Sequence, residues 1–332
     1  MNMDLANKLL LQVKGLKTTF YTYEGKVEAV NGIDLEVRKN ESVGIVGETG
    51  CGKSATALSI MRLIQYPPGK IVSGSIILKG QELMTKSLDE MRAIRGSSIA
   101  MIFQKAMSSL NPTFRIGSQM VDIIGLHKQL EQKKALGRAI DLLRSVGMPA
   151  PENVIKMYPH EISGGMRQRV IIAIALSLNP DLLIADEPTT ALDATIQKQI
   201  LVLIENLRRE FKFSMLFISH DLRMVQNVCA RIYVMYAGNI VEFGNVDRIF
   251  KHPRHPYFRA LLNSLPTFNS RKDSLTVTPG MVPSLLDPPP GCRFHPRCIF
   301  SVERCERETP PLRQIEEGHW VACFREREGE VL

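Results

Sequence analysis

No stretch of this chain stays apolar for long enough to cross a bilayer. The longest run, Val170 to Leu178, covers nine residues and includes Ser177, against the roughly twenty that a spanning helix needs. The N-terminus also lacks the long apolar core of a secretory leader. Both absences predict a soluble, cytosolic chain that reaches a membrane only through partners. A net charge of +8 raises nucleic acid as a partner. The basic residues are scattered, however, and no basic face interleaved with aromatics is visible, which argues against it. The excess reads as a mildly basic surface, suited to work beside an anionic cytoplasmic leaflet. What is present is a chain of 332 residues, 44% hydrophobic and 23% charged. That composition is globular, and the length allows one large core plus an appendage.

Several separated segments carry phosphate chemistry. Gly47-Glu48-Thr49-Gly50-Cys51-Gly52-Lys53-Ser54 lies between an apolar stretch with Val43, Ile45 and Val46, read as a buried strand, and Ser54 to Ile64, read as a helix. At such a strand-to-helix turn Gly47, Gly50 and Gly52 take backbone angles closed to other residues. Successive N–H groups and the helix N-terminus then face the phosphates. Lys53 supplies a charge to the β- and γ-phosphates and Ser54 a hydroxyl to Mg²⁺. Glu48, Thr49 and Cys51 fill the rest of this nucleotide-binding loop. Leu182 to Ala185 form a second apolar run that ends in Asp186 and Glu187, at the C-terminal edge of a buried parallel strand. Asp186 is expected to hold Mg²⁺, and Glu187 to orient or deprotonate an attacking water. Met215 to Ile218 is another such strand, and it ends at Ser219-His220, where His220 is placed to touch a γ-phosphate. Together these segments imply an ATPase of the α/β P-loop class.

Ile162-Ser163-Gly164-Gly165-Met166-Arg167-Gln168-Arg169 lies just ahead of the strand bearing the acidic pair. With it, the chain resembles the nucleotide-binding subunit of an ABC (ATP-binding cassette) transporter over about residues 9 to 250. The resemblance implies that Phe20 stacks on adenine, with Tyr21 and Tyr23 as neighbours able to substitute. It makes Gln104 the glutamine-loop residue, a further Mg²⁺ contact, and His220 the switch histidine. Thr190-Ala191-Leu192-Asp193 matches the loop that crosses between subunits. Ser163, Gly164 and Gly165 complete the ATP site of the facing subunit, so two cassettes must close to hydrolyse. The facing cassette is expected to be a related but different chain. Ile162 and Met166 depart from the more usual Leu and Gln, at positions that supply neither the phosphate-facing hydroxyl nor the amides. A soluble ABC ATPase not linked to transport is the alternative of another class; one of DNA repair or translation would need a long coiled-coil insertion or a second cassette, and neither is visible.

Between Gln104 and Ser163 the character changes. Leu136, Ile140, Leu143 and Gly147 recur at helical spacing, with Arg138, Asp141 and Arg144 on other faces. By resemblance this is the helical subdomain, about residues 105 to 165, with a groove near Gln104 that receives a helix of the membrane subunit. Ile232 to Met235 and Ile240 to Phe243 flank Ala237-Gly238-Asn239 as a hairpin. The ATPase domain is expected to span residues 1 to 253.

Residues 254 to 332 shift toward proline and cysteine. Pro279, Pro283, Pro288, Pro289 and Pro290 precede Cys292, Cys298, Cys305 and Cys323, which gather four of the six cysteines in 32 residues. Cytosolic thiols stay reduced, which argues against disulfides and raises a metal site. The spacing C-x5-C-x6-C-x17-C lacks the C-x2-C pairs of structural zinc sites and ferredoxins, so an iron–sulfur cluster, zinc and buried free thiols all remain open on spacing. A tail with Pro279-Gly280, Pro283, Gly291-Cys292, His295-Pro296-Arg297-Cys298, Cys305 and Cys323 resembles the C-terminal extension of the oligopeptide/dipeptide importer ATPases. That resemblance implies a [4Fe–4S] cluster on the four cysteines, with Zn²⁺ as the alternative. It further implies a second ATPase subunit, two transmembrane permease subunits and an extracytoplasmic substrate-binding protein, with this chain at the cytoplasmic face of the membrane. Peptides are the implied cargo, although related importers carry nickel, haem or sugars. The fold class expected is therefore a P-loop NTPase core with a helical subdomain and a small Cys/Pro-rich C-terminal extension. His295 and His319 are spare ligands by position but read as surface or packing residues, and Cys229 reads as a small core residue. Cys51 sits at a helix N-terminus, where a thiolate is favoured, but reads as a tolerated small residue.

Overall fold

A computed structural model describes residues 9–104, 109–128, 130–190, 192–264 and 280–325. Ala191 and Pro279 lie outside them. In chain order the strands are β1 (Leu9–Thr22), β2 (Gly25–Arg38), β3 (Ser42–Val46), β4 (Gly69–Leu78), β5 (Gln81–Glu82), β6 (Ile99–Ile102), β7 (Leu182–Asp186), β8 (Ser214–Ser219), β9 (Arg231–Tyr236), β10 (Asn239–Asn245), β11 (Arg313–Glu316) and β12 (His319–Val321). The helices are α1 (Lys53–Ile60), α2 (Leu88–Ile94), α3 (Ile116–Lys128), α4 (Gln132–Ser145), α5 (Pro151–Val154), α6 (Gly164–Leu176), α7 (Ala194–Phe211), α8 (Leu222–Val228), α9 (Val246–Lys251), α10 (Pro256–Asn263) and α11 (Glu303–Arg307). The chain divides into two compact units.

One unit is built mainly from Lys79–Ile218. In it β6, β7 and β8 run parallel, with Ile99 opposite Leu182 and Asp186 opposite Ile218. Every residue of β7 and β8 is buried. That is why these segments read as unbroken apolar runs rather than alternating ones: a parallel strand covered on both faces has no solvent side. From Val170 to Leu176 helix α6 carries only apolar side chains, because it is surrounded, touching α3, α4, α7 and β6.

The inward face of α4 differs from the one the sequence predicts. Leu136 is 39% exposed, whereas Ala135, Ala139, Leu142 and Leu143 are buried. Close approach of α4 to its neighbours favours the small alanines at the contact line, so the stripe is rotated relative to one drawn through the largest apolar side chains. Arg138 is also turned to structural use, donating from Nε and Nη2 to the Ser177 carbonyl at 3.0 and 2.8 Å. Gly147, at φ +68°, belongs to the helix stop rather than to the stripe.

The second unit contains Leu11–Glu36, Val43–Leu78 and the chain from Ser219 onward. Its first sheet places β1 between β2 and β4. Its second runs β3, β9, β10, β12, β11. β3 and β9 are parallel, while β9 and β10 form the expected hairpin, turned at Ala237 (φ +44°) and Gly238 (φ +85°). β12 pairs antiparallel with β10, Phe243 opposite Trp320. Residues near the C-terminus thus extend the same sheet that carries the loop after β3. The join is aromatic as well as hydrogen-bonded: the rings of Tyr236, Tyr257 and Phe294 lie 4.5 to 5.5 Å apart. Such contacts are worth about 0.5–1.5 kcal/mol per pair beyond area burial. Beside them the fully buried Glu242 accepts from the N–H groups of Arg254 and His255, at 2.9 and 2.8 Å, and pairs with His319 Nε2 at 2.8 Å. His319 is therefore a packing residue that clips β12 to β10.

Candidate functional site

The loop from Gly47 to Ser54 joins β3 to α1, as expected. Two of its glycines are forced by space. A Cβ on Gly47 would lie 2.1 Å from the Met235 carbonyl oxygen, and one on Gly52, at φ +108°, would lie 2.1 Å from that of Ala29. Thr49 and Gly50 are exposed at the loop's crest. Lys53 is only 6% exposed, and its Nζ donates to the carbonyls of Gly47 at 2.7 Å and Glu48 at 3.0 Å. Ser54, next on α1, is half-buried. The Glu48 N–H donates to the Tyr257 hydroxyl at 2.8 Å, and its carboxylate binds Arg297. Cys51 is fully buried, as suits a small residue, and burial pushes its thiol up from the ordinary cysteine value. Desolvation outweighs the helix N-terminus and the nearby Lys53.

In the same unit Phe20 is half-buried on β1, its ring against Gly69. Tyr21 is 49% exposed and Tyr23 fully exposed. His220 is exposed after β8, between Ser219, whose hydroxyl accepts from the Asp221 N–H, and Asp221, which caps α8.

The acidic pair lies in the other unit. Asp186, the last residue of β7, is 2% exposed. Glu187 follows at φ +46°, a left-handed conformation that strains any residue with a Cβ. Its own N–H fixes it, donating to the Ile218 carbonyl at 2.9 Å. Its carboxylate is aimed by two donors to Oε2, Gln104 Nε2 and Thr190 Oγ1, each at 3.0 Å. The sequence assigns Gln104 and Glu187 separately, and the structure joins them. Thr190 as a holder of Glu187 is missed by sequence reasoning, although a hydroxyl three residues beyond a carboxylate is the available signal. The buried carboxylate of Asp186 and the amide oxygen of Gln104 are hard donors of the kind Mg²⁺ takes.

Ser163 is the N-cap of α6, its Oγ accepting from the Met166 N–H at 3.3 Å. It is exposed, and Gly164 and Gly165, which open this 13-residue helix, are half-buried. Asp193 caps α7 by accepting from the Ile196 N–H at 2.9 Å, which gives it a structural role at the start of that helix.

Cys292 and Cys298 are half-buried, and Cys305 and Cys323 are buried. Burial, and then the neighbouring thiols, raise Cys292 to about 12 and Cys298 to about 11. Cys305 and Cys323 are among the neighbours that hold the thiols of Cys292 and Cys298 up. A set of four soft thiols suits iron–sulfur or zinc chemistry. Yet among the described residues no group of three or more His, Cys, Asp or Glu side chains is disposed to hold a metal ion. Also among the described residues, no helix is long and apolar enough to cross a membrane.

Comparison with known proteins bears on both units. A family model described as ABC transporter matches residues 30–190, and one described as the oligopeptide/dipeptide transporter C-terminal region matches residues 241–305. The oligopeptide transport ATP-binding protein OppD of Bacillus subtilis is 48% identical over 316 residues, covering 95% of this chain and 88% of its own. A probable peptide ABC transporter ATP-binding protein of Sinorhizobium fredii is 48% identical over 321 residues, covering 96% of each. Among solved structures, the dimeric bacterial ABC transporter cassette MJ0796 is 25% identical with a TM-score of 0.64, over 71% of this chain and 99% of that one.

Proposed function

Because the chain belongs to the ABC transporter family, among its oligopeptide and dipeptide transport ATP-binding proteins, we propose that it is the ATP-hydrolysing subunit that powers peptide import. The observation that carries the reading is Glu187, a carboxylate held in a strained backbone conformation by Ile218 and aimed by Gln104 and Thr190, directly after the buried Asp186. Strain of this kind persists where the surrounding structure fixes a reacting group. In this reading Phe20 stacks on adenine, and the loop amides with Lys53 cradle the phosphates. Ser54, Gln104 and Asp186 hold Mg²⁺, which neutralises charge on the transferring phosphoryl group. Glu187 takes the proton of the attacking water, and His220 contacts the γ-phosphate.

Ser163, Gly164 and Gly165 serve the site of a facing, related cassette, so hydrolysis belongs to the closed pair. ATP favours the closed over the open pair, and that difference in affinity drives two transmembrane permease subunits between their states. The chain works at the cytoplasmic face of the membrane, with an extracytoplasmic binding protein delivering the peptide. Residues 254–332 form the Cys/Pro-rich extension, and Cys292, Cys298, Cys305 and Cys323 are its ligands for a [4Fe–4S] cluster, with zinc as the alternative. The transporter reconstituted in vesicles tests the reading. ATP inside should drive uptake of a labelled oligopeptide, and Ser163→Arg should abolish hydrolysis at the facing site while this chain still binds nucleotide. Full uptake by the Ser163→Arg assembly would refute the shared site, and failure to take up any peptide would refute the cargo.

A further inference from the structure

The phosphate loop is tied down by residues that follow it by more than two hundred positions. Arg297 ends a short 3-10 turn, His295–Arg297, one residue before Cys298. Its guanidinium forks onto Glu48, Nη1 to Oε2 at 2.8 Å and Nη2 to Oε1 at 3.1 Å. The fork is itself held in place, because Nη1 also donates to the Tyr236 hydroxyl at 3.3 Å and the guanidinium carbon lies 5.8 Å from the Tyr236 ring centre and 5.9 Å from that of Phe294. The Arg297 side chain is 7% exposed and that of Glu48 26%. A bidentate pair whose guanidinium is almost wholly covered is stronger and more directional than an exposed one.

Glu48 is held at each of its polar ends. Its carboxylate takes Arg297, its N–H donates to Tyr257, and its carbonyl, with that of Gly47, accepts from Lys53. A carboxylate inside a loop that receives a triphosphate is an electrostatic liability, since its charge opposes the ligand's. The structure offsets that liability with one residue.

We infer that Arg297 is a positioning residue for nucleotide binding: by masking the charge of Glu48 and fixing its backbone, it sets the carbonyls that aim Lys53 and keeps the loop receptive to an anion. The inference rests on the reading of Gly47–Ser54 as the ATP phosphate loop. It makes the C-terminal extension part of the ATP site.

Titration of the 332-residue chain with a fluorescent ATP analogue and Mg²⁺ tests it. Lys53→Ala should remove binding; if it does not, the loop reading fails rather than the role of Arg297. With Lys53 confirmed, Arg297→Ala should weaken binding about tenfold, as the unmasked charge of Glu48 requires. Arg297→Lys, which keeps the charge, should lose about threefold or less. The discriminating variant is Arg297→Ala combined with Glu48→Gln, which removes the exposed charge and should recover most of the affinity. His319→Ala, which loosens the same extension away from the loop, should lower the melting temperature and leave affinity within about twofold. Arg297→Ala binding within twofold of the parent would overturn the inference. So would a double variant as weak as Arg297→Ala alone, or an equal loss with His319→Ala, since each would reduce Arg297 to an anchor of the extension.

Discussion

Replacing Glu187 by Gln removes charge and basicity while leaving the geometry in place. Glutamine is nearly isosteric, and its amide oxygen can still accept from Gln104 Nε2 and Thr190 Oγ1, the donors now at 3.0 Å from the carboxylate. The N–H bond to Ile218 at 2.9 Å involves only the backbone and is unaffected. Nothing in the phosphate loop is altered, so affinity for ATP should be retained. Turnover should fall by about 10²- to 10⁴-fold, the contribution of a positioned general base, which corresponds to roughly 3–5 kcal/mol in the barrier. Phosphate release by the assembled transporter measures turnover, and equilibrium binding of a nucleotide analogue measures affinity. Sedimentation with ATP should show the closed cassette pair accumulating, because closure no longer ends in hydrolysis. Glu187→Asp supplies the geometric contrast: it keeps a carboxylate but, one methylene shorter, cannot reach both donors, so its turnover should fall between the parent and Glu187→Gln. Near-normal hydrolysis by Glu187→Gln would remove Glu187 from the base role. A loss of turnover matched by an equal loss of affinity would show that the substitution had damaged the site instead.

The buried His255 gives the fold a dependence on acid. Burial lowers its pKa from 6.5 to about 3, so stability from its neutral form is complete above about pH 6.5 and declines as pH falls toward 3. At pH 5 the loss should reach about 2 kcal/mol. His255→Asn, which keeps an acceptor for the Tyr257 N–H, should flatten that slope in urea melts, and an unchanged slope would exclude His255 as its source. For the cysteine quartet, protein prepared without oxygen should absorb broadly near 400 nm and hold about four irons per chain, both lost in Cys298→Ser. Stoichiometric zinc without iron would favour the zinc alternative, and metal-free protein would exclude both.

What was legible in the sequence was local. The runs Leu182–Ala185 and Met215–Ile218 announced buried parallel strands because a strand covered on both faces must be apolar throughout, and the residues ending them were correctly located. The glycines of the phosphate loop were legible for a similar reason, since Met235 and Ala29 leave no room for a Cβ. Periodicity in α4 misled, because it weights large side chains whereas close helix contact is made through Ala135 and Ala139. The full burial of Cys51 was not legible, because a helix N-terminus is visible in sequence and desolvation is not. In the sequence Arg297 stands out only as the residue before Cys298. Its partner lies 249 positions away, and no local pattern connects two such residues.

The pairing of β12 with β10 also has a bearing on solubility. A strand at the margin of a sheet offers unpaired N–H and C=O groups to any other extended chain. Here β10 is spared that exposure, and the margin falls instead on β11, a strand of only four residues, Arg313–Glu316, in which Arg313, Gln314 and Glu316 are exposed. Short and charged, it is a poor template for a neighbouring molecule. A minimal ATPase cut near residue 250 would trade that guarded margin for the bare flank of β10, with Val241 and Phe243 in its strand, and so would invite the edge-to-edge association that the pairing with β12 resists.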